Sequence, residues 1–85
     1  MKNKVVVITG ASSGIGKACA WHFVKNGSKV VLAARSIDKL ESITSKMLAE
    51  GHEVLAVQAD VSVEEDCSRL ISETIQKFKV IDVLI

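Results

Sequence analysis

The feature that most constrains the fold of this chain is a regular alternation of short apolar runs with longer segments of helical apolar spacing. Runs rich in Val, Ile and Leu without polar alternation are typical of strands buried on both faces, as in a parallel sheet. We predict four such strands, at residues 4–8, 30–34, 53–58 and 80–85. Three helices are predicted between them, beginning near residues 15, 37 and 62.

Each predicted helix has one apolar face, which we expect to pack on the sheet. These faces comprise Ile15, Ala18, Cys19, Ala20, Phe23 and Val24 in the first helix, Ile37, Leu40, Ile43, Met47 and Leu48 in the second, and Cys67, Leu70, Ile71, Ile75 and Phe78 in the third. Gly27 and Gly51 stand where glycines end helices. Ser62 and Glu65 predict a capping box at the start of the third helix.

Strands and helices that alternate with such short connections indicate right-handed βαβ units. The predicted fold class is therefore α/β, a Rossmann-like doubly wound parallel sheet in three α/β/α layers, of which the chain carries the first four strands and three helices. Residues 83–85 are apolar where domain termini are usually exposed and polar, so we expect a truncated sequence. The alternative is a compact domain whose fourth strand forms a sheet edge.

Composition and charge argue against several classes of function. The 85 residues are 48% hydrophobic and 25% charged, as in a small globular domain. Because 11 basic side chains face 10 acidic ones, the net charge of +1 gives no long-range field for nucleic acid or an anionic membrane. The first apolar run is too short for a signal peptide or a membrane span, so we expect a cytoplasmic protein.

The histidines and cysteines show no spacing of a metal site or a redox pair. His22 and His52 are distant in sequence and have no cysteine or carboxylate at ligand spacing. Cys19 and Cys67 belong to no CxxC pattern and fall on apolar helix faces. We therefore predict no metal site and two free thiols.

Residues 9–16, Thr-Gly-Ala-Ser-Ser-Gly-Ile-Gly, join the first strand to the first helix with glycines spaced as GxxxGxG. Gly10 can adopt a positive φ in the turn, Gly14 leaves space for a diphosphate, and Gly16 lets the helix pack close to the strand. The free amides and partial positive charge of the helix N-terminus then face the phosphates. A strand before this loop and a helix after it predict dinucleotide binding.

The segment TGASSGIG resembles the TGxxxGxG cofactor motif of the short-chain dehydrogenase/reductase family. The resemblance covers all 85 residues, with LAARS after the second strand, ADV after the third, and IDVLI in the fourth, which in the family leads into an Asn-Asn-Ala-Gly motif. It implies that the cofactor loop is formed by Gly10, Ser12, Ser13, Gly14, Ile15 and Gly16.

The resemblance also implies a site for adenine after the third strand. Asp60 would accept a hydrogen bond from the adenine amino group, and Val61 would cover the adenine face. The alternative role of Asp60 is that of a turn carboxylate near the start of the third helix, where it would favour the helix electrostatically. The two roles are compatible.

Cofactor choice is normally set at the end of the second strand, where an acid binds the NAD ribose and an arginine accommodates the 2′-phosphate of NADP. Arg35 and Ser36 stand there, close to the expected offset of about 20 residues from the glycine loop. Since neither Ala33 nor Ala34 is a carboxylate that would repel the phosphate, NADP(H) is favoured over NAD(H).

Alternatives remain open for these residues. Arg35 can be a solvated side chain and Ser36 the N-cap of the second helix. Ser13 stands where many NADP-preferring relatives carry a basic residue, which makes the preference smaller. Lys39 and Lys46 are interpreted as part of the solvated face of the second helix.

In the family a serine, a tyrosine and a lysine, with an asparagine, act on the substrate carbonyl, and none of those positions falls within this sequence, which has no tyrosine. The resemblance thus implies that residues 1–85 are the N-terminal part of a single NADP-binding Rossmann domain. The parent would be an NADP-dependent oxidoreductase of carbonyl or alcohol substrates, and this chain alone would be inactive.

The alternative is a stand-alone, non-enzymatic fragment that binds nucleotide or self-associates. Expected partners are the dinucleotide cofactor and, through the uncovered fourth strand, a second copy in a homo-oligomer. Neither nucleic acid nor a membrane is expected.

Overall fold

The computed structural model of the chain describes residues 3–12 and 14–85 and consists of alternating strands and helices. In chain order the elements are β1 (Val5–Thr9), α1 (Gly14–Lys25), β2 (Lys29–Ala34), α2 (Ile37–Ala49), β3 (Val54–Gln58), α3 (Glu64–Phe78) and β4 (Val83–Leu84). Gly27 and Gly51 follow α1 and α2 with φ of +88° and +86°, which confirms them as the residues that end these helices.

The four strands form one parallel sheet in the order β3-β2-β1-β4. Val6 of β1 lies opposite Val30 of β2 on one side and opposite Val83 of β4 on the other. The sheet therefore grows in both directions from β1, as expected of a doubly wound fold. The predicted α/β fold class is confirmed.

The two faces of the sheet are covered by different helices, because successive strand side chains point to opposite sides. One hydrophobic cluster joins the sheet to α1 and α2 and includes Val6, Ile8, Val30, Leu32, Ala20, Val24, Leu40 and Met47. The other joins the sheet to α3 and includes Val7, Val31, Ala33, Val57 and Leu70. These clusters give the three α/β/α layers that the sequence predicts.

The predicted apolar faces of α1 and α2 are correct except at their margins. Ile15 is 84% exposed and Leu48 is 57% exposed, and Ala18 also faces solvent. Ile15 stands in the first turn of α1, beyond the end of the strand on which the helix packs. Its exposure places an apolar side chain beside the glycine loop rather than in the core.

The predicted face of α3 is partly wrong. Ile71 and Ile75 are 45% and 41% exposed, whereas Leu70 and Thr74 are buried. The Thr74 hydroxyl donates to the Leu70 carbonyl at 2.8 Å, so its burial leaves no polar group unpaired. The helix is therefore rotated toward a face that includes a threonine, and apolar spacing alone selected the adjacent isoleucines.

The predicted capping box at Ser62 and Glu65 is also wrong. Helix α3 begins at Glu64 with Val63 in the N-cap position, and no side chain makes a cap hydrogen bond. Ser62 instead donates its amide and its hydroxyl to Asp60 Oδ1, at 2.9 and 2.6 Å. The Ser62 hydroxyl therefore bonds to a carboxylate two residues earlier instead of capping the helix.

Strand β4 is shorter than the predicted 80–85 but is held to β1 beyond its own ends. The Asp82 amide donates to the Val5 carbonyl at 2.9 Å, and the Ile85 amide donates to the Val7 carbonyl at 2.8 Å. The Asp82 carboxylate adds a side-chain bond, because its Oδ2 accepts from the Val5 amide at 2.8 Å. Val5 is 1% exposed, so this carboxylate satisfies a donor that water does not reach.

Replacing Asp82 with alanine should therefore lower the free energy of unfolding by about 1–3 kcal/mol, the cost of leaving a buried amide without its acceptor. Urea denaturation of the full-length protein measures this change. Glu41→Ala, on the exposed side of α2, is the control and should stay within about 0.5 kcal/mol of the wild type. Equal effects of the two substitutions would contradict the role given to Asp82.

Candidate functional site

The candidate site lies at the carboxyl ends of β1, β2 and β3, where the chain leaves each strand. The Ala11 amide donates to the Ala33 carbonyl at 3.1 Å, and the Ala59 amide donates to the Ala34 carbonyl at 3.0 Å. These two bonds tie the loops after β1 and β3 to the end of β2. The edge where parallel α/β sheets bind their ligands is thus closed into one continuous rim.

An open cavity of about 650 Å³ occupies this rim, within the range of small-molecule sites. Its lining residues are Gly10, Ser12, Ala34, Arg35, Ser36, Lys39, Ala59, Asp60, Val61 and Ser62. Most of the residues that the sequence nominates for cofactor binding therefore meet at one place, although they come from three separate loops.

Three predicted residues stand outside the cavity lining. Gly14, Ile15 and Gly16 occupy the first turn of α1, beside the cavity. Ser13, the remaining member of the predicted loop, lies outside the described residues. The structure thus divides the glycine motif into a part that lines the cavity and a part that shapes the helix start.

The three glycines of the loop have different physical requirements. Gly10 and Gly14 have φ of +61° and +59°, a conformation that favours glycine, and a Cβ at either would meet open space. A Cβ at Gly16 would instead overlap the Gly10 carbonyl oxygen and come within 2.9 Å of its carbon. The predicted close packing of α1 against the end of β1 at Gly16 is therefore present.

The loop after β2 places Arg35 and Ser36 in the lining of the cavity. Arg35 is exposed, and its backbone carbonyl accepts a bond from Gln58 Nε2 at 3.0 Å. Ser36 occupies the N-cap position of α2 in an extended conformation, but its side chain makes no cap hydrogen bond. Ser36 thus occupies the N-cap position that the alternative interpretation gave it, but its hydroxyl does not cap the helix.

Asp60 lines the same cavity as Arg35 and is an ionised carboxylate. Hydrogen bonds from the Ser62 hydroxyl and amide hold the pKa of Asp60 below its ordinary value, and the charge of Arg35 lowers this pKa further. Both bonds end on Oδ1. Within the described part of the chain, Oδ2 of Asp60 accepts no hydrogen bond and is available to a donor in the cavity.

The turn that carries Asp60 is fixed by the first turns of α3. Asp66 Oδ2 accepts from the Asp60 amide at 2.8 Å, and Asp66 Oδ1 lies 3.6 Å from the guanidinium of Arg69. Arg69 also donates to the Gln58 carbonyl at the end of β3. The position of the Asp60 carboxylate is therefore set by the helix that follows it.

Sequence reasoning missed some of the cavity lining. Ala34, Ala59 and Ser62 enter it simply because they flank the nominated residues. Lys39 is different, since the sequence interpretation places it on the solvated face of the second helix, whereas it lines the cavity. Its position in the first turn of α2, directly after the loop that carries Arg35 and Ser36, is the signal that could have found it.

Two kinds of site do not appear in residues 3–12 and 14–85. No group of three or more histidine, cysteine or acidic side chains is arranged to hold a metal ion. No helix in that same part of the chain combines the length and apolarity that crossing a bilayer requires.

Comparison with known proteins gives the same family that the glycine motif indicates. A family model described as short chain dehydrogenase matches residues 4–85. The 11-beta-hydroxysteroid dehydrogenase-like 2 of Arabidopsis thaliana is 49% identical over 84 positions, which cover 96% of this chain and 27% of that protein. This chain therefore belongs to the short-chain dehydrogenase family of oxidoreductases. It spans about a quarter to a third of the length of the curated relatives it matches.

Solved structures of the family share the fold closely. A short-chain dehydrogenase/reductase from Burkholderia phymatum in complex with NAD has a TM-score of 0.95 and 35% identity, with 98% of this chain and 30% of that chain covered. An alcohol dehydrogenase from the archaeon Thermococcus sibiricus complexed with 5-hydroxy-NADP has a TM-score of 0.93 and 39% identity, with 98% and 36% covered.

The contact at Gly16 leads to a prediction about stability. Gly→Ala in a helix normally gains up to about 1 kcal/mol, but at Gly16 the added Cβ must displace the Gly10 carbonyl, so we expect Gly16→Ala to lower the free energy of unfolding instead. Lys17→Ala, at the next and exposed position of α1, is the control and should be nearly neutral. Chemical denaturation of both variants measures the two free energies of unfolding. A Gly16→Ala protein more stable than the wild type would contradict the close approach of α1 to the Gly10 carbonyl.

Proposed function

We propose that the protein is an NADP-dependent oxidoreductase of carbonyl or alcohol substrates, and that residues 1–85 are the N-terminal part of its single nucleotide-binding domain. The observation that carries this proposal is the convergence of the glycine loop, Arg35 and Asp60 on one cavity at the carboxyl ends of three parallel strands. Family membership supports the oxidoreductase class. The cofactor and the substrate class rest on the site residues and the resemblance.

The residues of the cavity fit the adenosine half of a dinucleotide. Asp60 offers a carboxylate oxygen to the adenine amino group, and Val61, which is 52% exposed, offers an apolar side chain to the ring. Gly10 and Gly14 leave space where a Cβ would otherwise project, so a diphosphate can approach the backbone. The amides at the start of α1 add a partial positive charge beside it.

The nicotinamide, when bound, supplies the hydride chemistry, and the protein supplies its placement. Residues 1–85 contain no tyrosine, so the group that protonates a substrate carbonyl is expected elsewhere in the full-length protein. We assign no catalytic residue within this chain. Its part is to bind and orient the cofactor.

The choice of NADP rests on the loop after β2. Arg35, which lines the cavity, carries a guanidinium, and Ala33 and Ala34 carry no charge that would repel a phosphate. The Burkholderia and Thermococcus structures were solved with NAD and with an NADP derivative, respectively, so family membership is compatible with both cofactors. The local charge of the site is what favours NADP.

A non-enzymatic module that binds nucleotide or self-associates is the competing proposal. The open edge of β4, where Leu84 is 59% exposed, is the observation in its favour. Assay of the full-length protein with NADPH and a panel of aldehydes and ketones separates the two. Saturable binding of NADPH without its oxidation by any carbonyl in the panel would favour the module.

Binding through the glycine loop is tested by Gly14→Val. A side chain at Gly14 fills the space proposed for the diphosphate, so calorimetry should detect no NADPH binding to a folded variant. Gly51→Val is a matched control, because Gly51 also has a positive φ and open space around it but lies after α2, away from the cavity. Unchanged NADPH affinity in Gly14→Val, or an equal loss in both variants, would refute the loop assignment.

Cofactor choice is tested at Arg35. Loss of a charge-assisted hydrogen bond to the 2′-phosphate should weaken NADP binding by roughly ten- to a hundredfold in Arg35→Ala, while NAD changes little. Ala34→Asp should reverse the preference by placing a carboxylate against the phosphate. Equal weakening of both cofactors by Arg35→Ala would mean that Arg35 supports the fold or the adenine rather than the phosphate.

A further inference from the structure

Arg35 is not the only charged residue that a phosphate in the cavity would meet. Asp60 lines the same cavity, is ionised, and interacts electrostatically with Arg35. Because a carboxylate close to a guanidinium offsets part of its field, the pair Arg35 and Asp60 carries no net charge toward an anion in the cavity. A net positive charge at this site therefore requires a second cation.

Lys39 supplies that cation. It is the third residue of α2, four positions after Arg35 in the chain, and it lines the cavity together with Arg35 and Ser36. Within the described residues Lys39 makes no ion pair, and the neighbouring Asp38 is not part of the cavity lining. Its ammonium group is therefore not committed to another carboxylate.

Lys39 also lines a second groove beside the cavity, and no acidic residue is part of that groove's lining. This groove, between α1 and α2, is lined by Ser12, Lys17, Trp21, Lys39, Ser42, Ile43 and Lys46. Every charged residue in this lining is a lysine. Lys39 and Ser12 belong to both linings, so they mark the boundary between the cavity and a groove whose charged lining residues are all lysines.

We propose that Lys39 is a specificity-determining residue that binds the ribose 2′-phosphate of NADP together with Arg35. This inference rests on the proposed function and extends it from one cation to two. Arg35 presents a planar fork to the phosphate, whereas Lys39 contributes a point charge from the first turn of α2. A phosphate monoester carries a charge of about −1.5 to −2 at neutral pH. Arg35, whose charge is partly neutralised by Asp60, does not balance the charge of such a phosphate by itself.

The test measures how the cofactor ratio changes in two lysine variants of the full-length protein. Lys39→Gln removes the proposed contact, and Lys46→Gln removes the same charge from the same helix but outside the cavity lining. Both variants and the wild type are titrated with NADP and NAD, and also with adenosine 2′,5′-bisphosphate and adenosine 5′-monophosphate. The last two ligands report on the ribose phosphate without any contribution from nicotinamide or from catalysis.

Lys39→Gln should weaken NADP and the bisphosphate by roughly two- to fivefold and should leave NAD and the monophosphate nearly unchanged. Lys46→Gln should leave all four within about twofold, because screening at physiological salt reduces the effect of a charge more than ~8 Å away. An unchanged NADP-to-NAD ratio in Lys39→Gln would overturn the assignment, as would an equal change in Lys46→Gln.

Failure of the proposed function gives a different result. A wild-type protein that binds none of the four ligands would refute dinucleotide binding itself, and the inference about Lys39 would fall with it. A wild type that binds both dinucleotides, with a ratio that does not respond to Lys39→Gln, would refute only the role of Lys39.

Discussion

The contact between Gly16 and the Gly10 carbonyl sets the distance between α1 and the end of β1, and the rest of the site depends on that distance. The helix start approaches so closely that a single methyl group at Gly16 would meet the backbone of the preceding turn. The turn can fold under the helix because Gly10 and Gly14 adopt positive φ. Gly10 and Ser12 of this turn line the cavity, so the turn beneath the helix forms part of the site.

Much of the fold could be predicted from the sequence because the strands are buried on both faces. Val5, Val6, Val7 and Ile8 are each at most 1% exposed, and such a run has few structural alternatives. The meeting of Arg35 with Asp60 also followed from the fold, since the carboxyl ends of parallel strands share one edge. The cofactor roles of these residues stay predictions.

The errors arose where a side chain has two competing uses. Thr74 is buried because its hydroxyl bonds to the backbone of its own helix, and hydrophobic spacing cannot detect that bond. Ser62 bonds to Asp60 rather than to the helix, because the carboxylate lies nearer to it in the chain. Lys39 looks like any exposed helix lysine until the cavity beside it is known. Each case depends on a neighbour that sequence periodicity does not record.

The position of β1 between β2 and β4 has a consequence for the order in which the sheet is assembled. Val6 pairs with Val30 and with Val83, so β1 is an inner strand whose second neighbour is synthesised much later than its first. Closing the longer loop costs about 1 kcal/mol more in chain entropy than closing the shorter one, so β1 and β2 associate first. Until residue 82 emerges, one edge of β1 has no partner strand, and the nascent protein must pass through this exposed state each time it is made.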